Sequence, residues 1–130
     1  MWEGFAISKG VKMNEEIIFK SAIPKLVMAD MTKTCQFYQQ LDFKVIWQTE
    51  DYLILERDNI ILHFWQSNDK YIAENTAYRI NVSHIEALYQ LCQTLKIVHP
   101  NDPLQTQPWG SKEFSILDVA GNLITFSEPA

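Results

Sequence analysis

The sequence predicts an α+β domain made of two tandem βαβββ modules that form a curved mixed sheet around a cleft. Three observations carry that prediction. The order strand, helix, three strands occurs twice along the chain, and a repeated order is the signature of a duplicated unit. The apolar residues of the second copy can be laid on those of the first. With 130 residues, 47% hydrophobic and 21% charged, the chain can build one real core and is too short for two ordinary domains. The resulting division is an N-terminal extension over 1–20 and one domain over 21–130, with modules near 21–66 and 75–129.

Residues 1–20 show no clear period, and Met13 is a candidate initiator, so this stretch is set aside. An apolar stretch from Ala22 to Met28 follows. It contains Pro24, which has no N–H to donate to an interior ladder, so the strand belongs at an edge or crosses to another chain. Asp30 is an N-cap residue before a helix whose apolar positions Met31, Cys35, Tyr38 and Leu41 recur at helical spacing. Three strands come next, over 43–48, 52–56 and 60–65, with Arg57-Asp58-Asn59 as a tight turn between the last two.

The second module opens with a strand over 76–82 and a helix from about His84 to Leu95, with Ile85, Leu88, Leu91, Cys92 and Leu95 on one face. A brief strand at Ile97-Val98 and a loop from His99 to Gly110 lead to strands over 113–117 and 123–127, which flank a turn at Ala120-Gly121-Asn122. A constant offset of 62 lays Tyr52, Leu55, Ile61, His63 and Phe64 on Phe114, Leu117, Leu123, Thr125 and Phe126. The helices superpose at an offset of 54. One helix per module covers one sheet face and leaves the other free to enclose a cleft.

Composition narrows the function. A net charge of −5 disfavours nucleic acid and favours a cationic ligand where carboxylates line a crevice. No apolar run approaches the roughly 20 residues of a membrane span, and no secretory signal is present, which reads as a cytoplasmic protein without a membrane partner. Cys35 and Cys92 fall inside amphipathic helices and read as small core residues. Four Trp, five Tyr and seven Phe provide aromatic faces that suit planar ligands or a subunit contact. There is no glycine-rich phosphate loop, Gly-x-Ser-x-Gly elbow or Cys-x-x-Cys pair.

Several segments then carry a resemblance: Pro24 through Tyr38 with Val27-Met28-Ala29-Asp30-Met31, Leu41-Asp42-Phe43 at the helix exit, Ile61-Leu62-His63-Phe64, and Asp118-Val119-Ala120-Gly121-Asn122-Leu123-Ile124. In this order and spacing the chain resembles the vicinal oxygen chelate superfamily of glyoxalases, extradiol dioxygenases and bleomycin resistance proteins. The enzymes of that superfamily hold a divalent metal with four side chains. The matching positions lie near Ile23, His63, Tyr78 and Thr125, and only His63 is an ordinary ligand. Neighbouring Pro24, Ala77, Arg79 and Ile124 are no better. The resemblance therefore implies no cofactor, no metal and no catalytic residue.

Similarity is greatest to the bleomycin resistance proteins, which capture a cationic glycopeptide in the crevices of a homodimer. It implies a hinge at Pro24, from which the N-terminal strand reaches the partner, and a ligand-binding set of Trp47, Tyr52, His63, Trp65, Trp109 and Gly110. Glu50, Asp51 and Glu113, near strand ends, form a candidate acidic rim. His63 departs from the glutamate common in those proteins. Two other classes stay open at this point: a metal-dependent glyoxalase- or dioxygenase-type enzyme, and an interaction or sensing module with an empty cleft.

Overall fold

The computed structural model of the protein describes residue 10 and residues 12–130. The extension assigned to 1–20 lies partly outside the described residues. From residue 12 to Pro24 the chain forms no helix or strand, and Ile17, Ile18 and Phe19 are exposed.

The first module runs β1 (Lys25–Met28), α1 (Met31–Gln39), β2 (Lys44–Gln48), β3 (Tyr52–Arg57) and β4 (Ile60–Gln66). Its strands order as β1-β4-β3-β2, with β1 and β4 parallel and the other pairs antiparallel. Asp30 caps α1 by accepting the Lys33 N–H at 2.9 Å, satisfying a donor the helix itself leaves open. Pro24 stands before β1, an edge strand, where its missing N–H costs nothing, and its carbonyl accepts the His63 N–H at 3.2 Å. The β3–β4 hairpin closes with Asp58 and Asn59, Asp58 having a φ of 51°, as short hairpin turns require.

After α2 (Lys70–Glu74), the second module runs β5 (Ala77–Asn81), α3 (Ile85–Thr94), β6 (Gln105–Thr106), β7 (Lys112–Leu117) and β8 (Leu123–Glu128). Its order, β5-β8-β7-β6 with β5 and β8 parallel, repeats that of the first. The two βαβββ units thus carry separate four-stranded mixed sheets. The strand predicted at Ile97-Val98 is a single bridge, Val98 to Ile116, and β6 provides the edge instead. The short α2, capped by Asp69, was not anticipated. His84 does not cap α3 with its side chain. It takes a φ of 58°, and the Glu128 carboxylate on β8 accepts the N–H groups of His84 and Ile85 instead, placing a negative charge at the helix N-terminus.

One core joins the modules. Leu26, Met28, Leu53, Leu55, Leu62 and Phe64 on the helix-covered face of the first sheet belong to the same buried cluster as Ile80, Phe114, Ile116, Ile124 and Phe126 of the second. A polar link crosses it. Tyr38 donates to Asp118 at 2.6 Å, and Asn122 donates both to Asp118 and to the Val27 carbonyl, so the β7–β8 turn is tied to α1 and β1. Cys92 is buried within the core, and burial pushes its thiol up to about 11.

Register corrects the offset between the modules. Leu53 pairs with Phe64 and Phe114 with Phe126, so β3 and β7 superpose at 61 residues, whereas β4 and β8 keep 62. Tyr52 therefore corresponds to Glu113, not to Phe114, and Leu55 corresponds to Ile116, not to Leu117. The cause is the longer β7–β8 turn. A slip of one residue exchanges the two faces of a strand, so the correction decides which residues share the open face.

Candidate ligand-binding face

Strand alternation places Lys25, Tyr52, Ile54, His63 and Trp65 on the face of the first sheet opposite its helix-covered core. Trp47 joins them across a bulge between Val45 and Trp47, the register placing it beside Ile54 and Ile54 beside His63. The bulge lies on the edge strand β2, where Trp47 is 53% exposed. Tyr52 sits between Trp65, its cross-strand neighbour, and His63, whose ring it meets edge-on at 5.5 Å. The Tyr52 hydroxyl and His63 Nδ1 share a hydrogen bond of 2.8 Å, and the Lys25 ammonium lies 5.9 Å from the Tyr52 ring centre. This face can stack a planar group on aromatic rings and offer donors beside it.

The matching face of the second module is built from the corresponding positions with different chemistry, and of its residues Arg79 is exposed while Glu113, Ser115 and Ser127 are buried. Arg79, Ser115 and Thr125 stand where the first module has Lys25, Ile54 and His63; Glu113 and Ser127 stand where it has Tyr52 and Trp65. Glu113 is buried, and it accepts from Arg79, from Ser111 at 2.8 Å and from Ser127 at 3.2 Å. Burial works to raise the Glu113 carboxyl, but these donors outweigh it and hold the group below the usual carboxylate range. Ser115 bonds both the Asp102 carboxylate and the Thr125 hydroxyl.

The predicted residues divide accordingly. Trp47, Tyr52, His63 and Trp65 come together on one face. Trp109 and Gly110 belong to the second module, in a turn closed by the Gly110 N–H donating to the Gln107 carbonyl at 2.8 Å, with Trp109 67% exposed. Gly110 has a φ of 99°, and an added Cβ would lie 3.2 Å from that of Ala130, so glycine keeps this turn tight. Glu50 and Asp51 are exposed in the β2–β3 turn, as a rim requires. Glu113 is not a rim carboxylate, because it is buried and neutralised by Arg79. Arg79 and Lys25, which occupy matching positions on these faces, were not singled out from the sequence.

The metal positions do not fit an ion. On β5 the residue opposite Thr125 is Arg79; Tyr78 lies on the other face, packed against the core. The residue opposite His63 is Lys25. Two cations, a threonine and a histidine engaged by Tyr52 are not a set that replaces an ion's hydration shell. Among the described residues no three His, Cys, Asp or Glu side chains converge. Separately, a groove of about 330 Å³ lies between the modules, lined by Leu41, Phe43, Arg57, Ile80, Leu88 and Phe126 among others, and contains none of the predicted ligand-binding residues.

Residues 22–126 match the model of the Glyoxalase/Bleomycin resistance protein/Dioxygenase superfamily. The chain belongs to that superfamily. Within it, bleomycin resistance proteins of Geobacillus stearothermophilus and Staphylococcus aureus are 29% identical over 123 residues, covering 81% of this chain and 93% of theirs. Among solved structures, the bleomycin-binding protein of Streptomyces verticillus, complexed with copper(II)-bleomycin, superposes with a TM-score of 0.77 at 25% identity over 88% of this chain and 99% of that one. A bleomycin resistance determinant encoded on the transposon Tn5 gives 0.76 at 21%, over 85% and 98%. The superfamily's fold therefore extends over nearly the whole described chain.

Proposed function

We propose that this protein captures a bleomycin-type glycopeptide stoichiometrically, in a crevice of a homodimer, and makes or breaks no bond. The supporting observation is the open face of the first module, where Trp47, Tyr52, His63 and Trp65 share one side of the sheet and the Tyr52 and His63 rings are in contact. Similarity to bleomycin resistance proteins over four-fifths of the chain supports the ligand class. Trp47 and Trp109 stack the planar part of the drug, Gly110 shapes the turn that presents Trp109, and Glu50 and Asp51 attract its cationic end.

The N-terminal segment supports the dimer. Ile17, Ile18 and Phe19 are 53, 70 and 83% exposed among the described residues. Pro24, at the entry of an edge strand, is the hinge from which this apolar arm reaches a partner subunit and brings the second module of one chain to the first of the other. A single-domain protein over 21–130 acting in the cytoplasm completes the reading. No described helix is long and apolar enough to cross a membrane.

Calorimetric titration with metal-free bleomycin tests the proposal. One drug per crevice is expected for the wild type, with Trp47→Ala and Trp109→Ala each weakening binding about tenfold or more, as the loss of a central aromatic anchor does. An unresponsive wild type, or a metal bound at stoichiometric level through His63, would overturn it.

A further inference from the structure

The crevice reading assigns nothing to the polar open face of the second module. Resting on that reading, we propose that Arg79 is a ligand-recognising residue of this face and takes an uncharged oxygen acceptor of the carboxamide class.

The geometry begins with Glu113. Its side chain is 8% exposed, while that of Arg79 is 55% exposed, so the pair is anchored in the sheet at one end and open at the other. Ser111 and Ser127 bind the same carboxylate oxygen as Arg79. A guanidinium has five N–H donors in a fixed fork. Glu113 is the only acceptor it meets among the described residues, which leaves the remaining donors of a half-exposed side chain without a protein partner there. An ion pair with one half-exposed partner is a weak source of stability, so its presence here is better explained by what it orients.

Charge then selects the ligand. Arg79 and Glu113 cancel, and a carboxylate approaching the fork meets attraction from one and repulsion from the other. An uncharged carbonyl oxygen gains the directed hydrogen bonds without that opposition. Lys25, at the corresponding place in the first module, has no carboxylate partner among the described residues and lies above Tyr52 instead. Held orientation is thus peculiar to Arg79.

Calorimetry with metal-free bleomycin on wild type, Arg79→Met and Arg79→Lys tests the assignment, with thermal melts to establish that each variant folds. Arg79→Met is expected to weaken binding about tenfold, the value of a hydrogen bond to a charged group, and Arg79→Lys to lose part of that, since an ammonium keeps the ion pair but not the fork. Sugar-free bleomycin should show the same loss. A loss confined to the intact drug would move the acceptor to a sugar oxygen and overturn the carboxamide assignment. A folded Arg79→Met that binds like the wild type would overturn the proposal.

A second arm needs no drug. Benzamide and benzoate, titrated by NMR chemical shift, report the fork's preference between a neutral and an anionic acceptor. Glu113→Gln leaves Arg79 uncancelled and should move the preference toward benzoate by about tenfold. An unchanged preference would overturn the charge argument. Failure of wild type to bind bleomycin, with the benzamide result intact, would sink the capture reading while sparing the role of Arg79.

Discussion

Tyr52 and Glu113 occupy the same place in their modules, and so do His63 and Thr125, Trp65 and Ser127, Lys25 and Arg79. On the helix-covered faces the two copies agree: leucine, isoleucine and phenylalanine answer one another because both faces fill a single core. On the opposite faces they share little beyond strand geometry and a cation at the Lys25 and Arg79 position. One is aromatic, the other a hydrogen-bonded set of Arg79, Glu113, Ser111, Ser115, Thr125 and Ser127. Packing into one core constrains the helix-covered faces of both copies, whereas the opposite faces have diverged into a partly exposed aromatic set and a mostly buried polar set from which Arg79 emerges.

The two faces should respond differently to truncation, and the largest difference is expected at Glu113. Glu113→Ala leaves the Ser111 and Ser127 hydroxyls without their acceptor inside the sheet and strips Arg79 of its partner. Because Arg79 is more than half exposed, water compensates it in part, and the expected cost is about 2 kcal/mol rather than that of a fully buried pair. Urea unfolding measures this. A cost no greater than that of Trp47→Ala, which removes an exposed side chain, would remove the contrast between a structural polar face and a dispensable aromatic one.

Acidity sharpens the same contrast. The Glu113 carboxyl is held below the usual carboxylate range in the folded state, so the unfolded chain takes up the proton first as pH falls. Its contribution is complete above that range and is lost as pH drops through the folded value. The stability difference between wild type and Glu113→Gln should therefore be largest near neutral pH and shrink in acid, which chemical denaturation over a pH series can follow. A difference that grows toward acid would reverse the sign assigned to this group.

Much of the architecture was legible because periodicity survives in sequence. The helical spacing of Met31, Cys35 and Tyr38, the cap at Asp30 and the Asp58-Asn59 turn are local signals that the fold uses as written. The face assignment was less legible. Tyr52-Leu53-Ile54-Leu55 is apolar throughout, so alternation is invisible there, and only pairing with Phe64 and Leu62 shows which two residues enter the core. Phe114-Ser115-Ile116 alternates plainly, but the unequal hairpin turns shift one copy by a residue. Glu113 then reads as a strand-end charge, and Arg79, its partner from β5, stays out of view because an ion pair across 34 residues leaves no local trace.

The smallest effect is expected at Tyr52→Phe. The ring stays, so its edge-on contact with His63 persists; only the hydroxyl that bonds His63 Nδ1 is lost. Both residues are half-buried, and water can replace the missing partner, so stability should fall by roughly 1 kcal/mol or less. The imidazole nonetheless loses the contact that fixes its rotation and tautomer. Its ring resonances, recorded by NMR at a single pH, should therefore shift between Tyr52→Phe and wild type, while drug affinity changes less than in Trp47→Ala. Identical His63 ring resonances in the two proteins would mean that the hydrogen bond does not organise this face, and that its aromatic rings alone define the surface.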